Sequence, residues 1–220
     1  MKSLELNVLL IEKISVIMEK EFLILAESVA ESCQTEFLKL LESGNWESLG
    51  ANNDVNGFSK KEGTLELIKS VGIINYDPES VSEYLFDLSN KKDWDEALIE
   101  TKTLFDYGDL KIVQETFKAP WPVSPRDFVF IIKKFRKNDN IFFLAQSIDI
   151  GIPEQEGVIR GDCKAGGFYL KNIEDIATEM TYIVSVDPKG SIPTAIVNYV
   201  ARQQVNNVNK IRVAMNSPKH

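Results

Sequence analysis

Apolar residues recur every three or four positions along the first part of the chain. Phe22, Leu25, Ala26, Val29, Cys33, Phe37, Leu40 and Leu41 form one stripe, which predicts a helix over residues 4–43. Ser43-Gly44-Asn45 supplies its stop. The pattern leaves open whether residues 1–20 form a separate helix or extend the same rod. Asn52-Asn53-Asp54 and Asn56-Gly57 are turn chemistry between short strands, and Leu65–Asn75 reads as a strand. Asp77-Pro78-Glu79-Ser80 then opens a short helix, with Asp as N-cap and Pro at the first helical position. Val81, Tyr84, Leu85 and Leu88 supply its apolar face, and Ser89-Asn90 closes it.

From Leu98 the period switches to two. The predicted strands are Leu98–Phe105, Leu110–Lys118, Phe128–Arg136, Ile141–Ile150, Val158–Asp162, Gly167–Ile173 and Thr178–Asp187. Their short links imply an antiparallel meander and not a stack of βαβ units. Asp187-Pro188-Lys189-Gly190 is a turn, and Ile192-Pro193 begins a last helix in which Val197, Val200, Val208, Ile211 and Met215 keep helical spacing, interrupted by Gln204. No repeat or linker composition divides the chain. A meander of this length curls, and a helix laid across its concave face closes a cavity suited to an apolar small molecule.

Composition narrows the functions. A hydrophobic share of 44% supports a real core, and 25 basic against 33 acidic residues give a net charge of −8, which argues against a nucleic-acid partner. The only histidine is His220, the last residue, so His-based triads and metal sites lose their central group. No catalytic residue, metal or cofactor is assigned. An enzyme using Glu115 or Asp149 as a general base is the remaining catalytic alternative. Cys33 and Cys163 are far apart with no CxxC and read as two reduced thiols. The N-terminal stretch from Leu4 to Leu25 carries Glu5, Glu12, Lys13, Glu19, Lys20 and Glu21, too polar for a membrane span or a signal peptide. The expected setting is cytoplasmic.

The run Ala119–Lys137 (APWPVSPRDFVFIIKKFRK) resembles the W-P-x-S-x-R-D segment of START domains, the steroidogenic-acute-regulatory-protein-related lipid-transfer family. Glu156-Gly157-Val158-Ile159-Arg160 resembles the family's G-V-I-R strand, and Asp187–Pro193 its D-x-x-G-x-x-P turn before the C-terminal helix. Trp94 sits where the family carries a tryptophan after the short helix. These elements follow the family's order across residues 46–215. The resemblance implies an α+β helix-grip fold: a curved antiparallel sheet gripping a long C-terminal helix, with an N-terminal helix, a short inserted helix and one lipid in the tunnel between them. It divides the chain into a helical extension over residues 1–20 and a lipid-binding domain over 21–216.

On this resemblance the lipid is contacted by Glu115, Arg126, Phe130, Ile132, Phe143, Tyr182, Val197 and Val200. Glu115 matches a cavity carboxylate of the family's cholesterol carriers, and a carboxylate in an apolar tunnel must be paired. Those carriers use an arginine on the following strand. Here that position is Ile132, so the sterol-type pair is not reproduced. The Trp121-Pro122 region is nearer the phosphatidylcholine-transfer branch, whose headgroup needs an aromatic cage; Phe142, Phe143, Phe168, Tyr169 and Tyr182 are available for one, or for ordinary core packing. Arg126 has two readings: its planar fork ties a loop to the strand, or it meets a lipid phosphate. Phospholipid is the expected ligand, ahead of sterol and ceramide.

Charge is unevenly spread. Residues 118–140 carry six basic side chains against two acids, and after Asp187 come five basic side chains and no acid. In the fold implied, these segments lie together near the tunnel mouth and form a surface for anionic membranes through Lys133, Lys134, Arg136, Lys137, Lys189 and Arg202. The function expected is cytosolic lipid binding and transfer with transient membrane contact. A lipid-sensing module that meets a protein partner through its N-terminal helix is the alternative.

Overall fold

The computed structural model describes residues 2–63, 65–192 and 194–217; the expectations that rest on Met1, Pro193 and His220 lie outside the described residues. Helix α1 (Lys2–Glu42) is one unbroken rod through residues 20 and 21. Strands β1 (Glu47–Asn52) and β2 (Val55–Glu62) turn at Asn53 and Asp54, both at positive φ, and β3 (Leu65–Ile74) follows. Asp77 caps α2 (Pro78–Phe86) as its sequence predicts, its carboxylate accepting from the Ser80 amide at 3.0 Å. A 3-10 turn over Leu88–Asn90, capped by Asp87, then leads into a one-turn helix α3 (Lys91–Trp94).

Strands β4 (Leu98–Asp106), β5 (Leu110–Phe117), β6 (Arg126–Lys137) and β7 (Asn140–Ser147) run as the expected meander, and β9 (Asp162–Ile173) pairs with β7 and with β10 (Ala177–Asp187). The sheet order is β1-β2-β3-β10-β9-β7-β6-β5-β4. Two departures from the expectation are local. The predicted strand Val158–Asp162 breaks at Gly161 into β8 (Ile159–Arg160), which pairs in parallel with the start of β6, and the first residue of β9. The last helix is two: α4 (Thr194–Val205) and α5 (Asn207–Asn216), with Asn206 between them.

Strand alternation gives the sheet two apolar faces. On the outer face, Ala26, Ala30, Cys33, Phe37 and Leu40 of α1 pack on Ile112, Val129, Ile131, Leu144, Ala165 and Ile183. Contact is close enough that a Cβ on Gly167 would lie 2.0 Å from the Phe143 carbonyl oxygen and 3.1 Å from the Phe37 ring. The inner face carries Ile141, Phe143, Leu170, Met180 and Tyr182 against α2, α3 and α5, with Val208 and Ile211 fully buried. Helix α4 approaches β2 at Gly57, where a Cβ would run into Val205 at 2.4 Å. Both cysteines are free and buried. Each thiol donates to the Ala145 carbonyl, at 3.7 Å from Cys33 and 3.6 Å from Cys163, and burial pushes their pKa values up to about 11 and about 12.

Candidate lipid site on the inner face

Alternation along β5 turns Glu115 inward between Val113 and Phe117 and turns Gln114 outward. Glu115 is 0% exposed. Its cation is Lys91, the first residue of α3, whose ammonium pairs with Oε2, while the Thr101 hydroxyl donates to Oε1 at 3.3 Å. The caps of the preceding turn place that lysine, and the buried Asn90 amide fixes the turn by donating to the Tyr84 carbonyl at 3.0 Å. The ammonium lies 5.4–5.9 Å from the ring centres of Phe117, Trp94 and Phe130. Sequence reasoning looked for the partner of Glu115 at position 132 on the next strand; the partner instead comes from the inserted helical segment. Ile132 packs among the inner apolar side chains.

A second polar group faces the same interior. The Tyr182 hydroxyl donates to Gln204 Oε1 at 2.9 Å, and the Asn207 amide donates to the same oxygen at 2.9 Å. This arrangement accounts for the break between α4 and α5: the polar residue that interrupts the apolar spacing is held inward. Burial pushes the Tyr182 phenol far above its ordinary range, with Asp95 and Glu115 near enough to raise it further. Its ring stacks on Phe168 at 4.9 Å, and Trp94 meets Phe168 edge-on at 6.4 Å. Of the residues expected to line a tunnel, Glu115, Phe130, Ile132, Phe143 and Tyr182 share this face. Val197 of α4 is half-buried and Val200 is exposed. The Tyr84 and Ser70 hydroxyls are buried without a hydrogen-bond partner among the described residues.

Arg126 stands at the rim. Its guanidinium donates to the carbonyls of Pro188 and Lys189 at 3.1 Å each and to that of Ser124. It therefore ties the loop before β6 to the turn that leads into α4, the first of its two readings. Its neighbour Asp127 faces the other way and takes Arg160 in a bidentate pair at 3.0 and 2.9 Å, with Gln114 donating at 2.8 Å. Burial alone would raise the Asp127 pKa, but the hydrogen bonds from Arg160 and Gln114 and the arginine's charge hold it below the usual carboxylate value.

The basic residues do not converge. The Lys189 carbonyl is bonded to Arg126 at the first residue of β6, whereas Lys133–Lys137 occupy its far end. At about 3.3 Å per strand residue, the two groups are roughly 25–35 Å apart along the strand. Several are also engaged: Lys134 with Asp109 at 3.3 Å, Arg136 with Glu79, and Lys189 with Asp187 at 2.6 Å. The expectation of one basic surface fails because it treated two segments rich in charge as neighbours, whereas β6 spans the sheet between them. At the Arg126 end the structure adds a feature the sequence reading passed over. Trp121, in the loop joined to β6, is 91% exposed. Elsewhere, along α4, Tyr199 and Val200 are exposed. No described helix is long and apolar enough to cross a membrane.

Comparison with known proteins agrees with this architecture. The steroidogenic acute regulatory protein of Gallus gallus is 32% identical over 141 residues, 61% of this chain and 50% of that protein. The chain thus spans about half the length of the steroidogenic relatives it matches. The structure of human StAR-related lipid transfer protein 5 superposes with a TM-score of 0.79 at 19% identity, covering 86% of this chain and 95% of that one. Human STARD10 superposes with a TM-score of 0.74 at 20% identity, covering 82% and 77%. A family model for the START domain matches residues 28–217, and the chain belongs to the START domain family.

Proposed function

We propose that the protein encloses one lipid against the inner face of its sheet and carries it between membranes, without chemical conversion. The observation that carries this reading is the buried Lys91–Glu115 pair. An internal ion pair among aromatic rings is a poor source of stability compared with apolar packing, but it is a good polar anchor. Glu115 can accept from a hydroxyl and Lys91 can donate to it, with Tyr182 close enough to feel the carboxylate. The pair is neutral as a whole, so it has no net positive charge to offer a phosphate. Three rings already surround the Lys91 ammonium, which leaves that cage filled by the protein's own cation rather than by choline. A neutral lipid bearing a hydroxyl, of sterol or ceramide type, fits this chemistry better than the phospholipid favoured on sequence alone. The names of the relatives, a steroidogenic protein and lipid-transfer proteins, accord with that class.

Entry would come from α4. Its far end is held by Gln204 and its near end by the Arg126-clamped turn, and between them it exposes Tyr199, Val200 and Arg202. An aromatic residue with basic neighbours suits the lipid–water interface, so the lid would open while resting on a membrane.

The test is native purification, solvent extraction and mass spectrometry, followed by transfer between vesicles. One neutral hydroxylated lipid per chain, transferred to acceptor vesicles, is the expected result. A stoichiometric phosphatidylcholine would overturn the neutral-lipid reading alone. Binding without transfer would favour a sensor, and neither bound lipid nor uptake would overturn the carrier reading.

A further inference from the structure

The cations at the far end of β6 line a cavity of their own. Alternation turns Lys134 and Arg136 to the inner side with Ile132, roughly 25–35 Å along the strand from the Arg126 clamp. There they meet α2. Lys134 stands over the Phe86 ring at 4.7 Å, beside Lys111 at 4.2 Å, and Arg136 pairs with Glu79. Glu79 and Ser82 of α2, Asp109 of the β4–β5 turn and Ile141 of β7 share with them the lining of a cavity of about 380 Å³, the size of a small-molecule site. One group in that lining is unexplained by the fold. Ser82 is 0% exposed, and its hydroxyl has no hydrogen-bond partner among the described residues. A buried hydroxyl is unfavourable unless something bonds it, and the cavity is where that partner would sit.

Depth of burial fixes the sign of the ligand. The lysine side chains lie deep and their carboxylates lie at the rim: Lys134 is 26% exposed against 63% for Asp109, and Lys111 16% against 54% for Asp106. Arg136 and Glu79 are both about half exposed. Such surface pairs contribute little and exchange readily. An anion entering the cavity can take the cations while Asp109 and Glu79 turn to water, whereas a cation taking the carboxylates would strand the deeper ammoniums. Lys133 and Lys137 take part in no ion pair among the described residues, so the end of β6 keeps surplus positive charge. A guanidinium fork, an ammonium and a hydroxyl donor together suit the oxygens of a phosphate. The remaining volume, walled by Ile141, leaves room for a carbon skeleton attached to it.

We infer that this cavity binds the phosphate group of a phosphate monoester, held by Arg136, Lys134 and the Ser82 hydroxyl. The inference does not depend on the lipid reading. Titration calorimetry of the full chain with glycerol 3-phosphate is expected to show one site per chain. Arg136→Ala and Lys134→Ala should each weaken it about tenfold. Ser82→Ala should weaken it about threefold without lowering the unfolding midpoint, since it removes a hydroxyl that the folded chain leaves unbonded. Glu79→Gln should tighten binding about threefold, because it removes a competing carboxylate from Arg136; a purely structural role for that pair predicts no gain. The same variants against phosphatidylcholine vesicles containing phosphatidic acid separate the two sources of the group. Glycerol 3-phosphate bound with this pattern identifies a soluble ligand. Phosphatidic acid vesicles bound with this pattern, when glycerol 3-phosphate is not, identify a lipid headgroup. If neither is bound, or if Glu79→Gln weakens binding, the cavity is not a phosphate site and the proposal is overturned.

Discussion

The two faces of the sheet are both apolar, yet they are built to different standards. The outer face under α1 is packed by Phe37, Leu144, Ile131 and Ile183, and the polar side chains nearest it are either satisfied, as at Asp127, or thiols bonded to a carbonyl. The inner face and the helix α2 packed on it bury an ion pair, a tyrosine–glutamine–asparagine cluster and three hydroxyls, of Ser70, Ser82 and Tyr84, without partners among the described residues. A polar group in an apolar interior costs stability unless something bonds it. Each face buries a carboxylate paired with a cation, Asp127 with Arg160 and Glu115 with Lys91, so the difference lies in the hydroxyls left without partners, which point to function on the inner side and to stability on the outer.

Truncation on the outer face should break the molecule most. Phe37 is fully buried between α1 and β9, and Phe37→Ala should cost about 3–5 kcal/mol in denaturant unfolding, with the selectivity of the surviving folded protein for its lipid unchanged. On the inner face the effect should depend on which partner remains. Lys91→Met strands Glu115 as a buried carboxylate and should cost about 3 kcal/mol. The double variant Lys91→Met/Glu115→Gln removes both charges and should regain most of that stability while still failing to bind lipid. If the double variant binds as well as wild type, the inner pair is structural and the distinction between the faces collapses.

Asp127 tests the outer face by pH. Its carboxyl is held below its unfolded value by Arg160 and Gln114, so the folded state is stabilised by its ionisation. That contribution is complete above the unfolded pKa of about 3.9 and is lost as pH falls through the lower folded value. Asp127→Asn should cost about 2 kcal/mol at pH 7, and the gap between variant and wild type should narrow progressively as the pH falls below about 4. A gap that does not narrow at all on acidification would show that the pair acts through packing and not through charge.

Much of this architecture is legible in the residues. The Asp77 cap, the period-two strands from Leu98 and the α1 stripe each follow from local chemistry that tertiary contacts reinforce. The side chains that distinguish the inner face were harder to read, because their partners are set by long-range geometry. Lys91 sits 24 residues from Glu115 in a segment whose local signal is only capping, so the demand for a cation was visible but its source was not. Gln204 showed itself as a flaw in the helical spacing of the last helix, and that flaw is the residue Tyr182 bonds. Trp121 lies in a loop beside proline, where no periodicity reports exposure. The β3–β10 pairing joins strands about a hundred residues apart, and alternation along either strand says nothing of its neighbour.

The smallest effects concern the two ends of β6, where charge density alone misled. Arg202 is exposed, has no ion pair among the described residues and stands on α4, the helix that follows the Arg126-clamped turn; Lys133 and Lys137 stand on β6 away from that turn. An exposed cation near an anionic bilayer contributes about 1 kcal/mol, so Arg202→Ala should weaken binding to phosphatidylserine vesicles about fivefold. Lys189→Ala should do less, since Asp187 already holds its ammonium at 2.6 Å. Lys133→Ala/Lys137→Ala should leave vesicle binding unchanged while added salt erodes the wild-type interaction. The reverse pattern, with the hairpin lysines dominant, would move the docking surface to the opposite end of the sheet and detach it from α4. The lid would then open away from the membrane, and a lipid leaving the inner face would have to cross water.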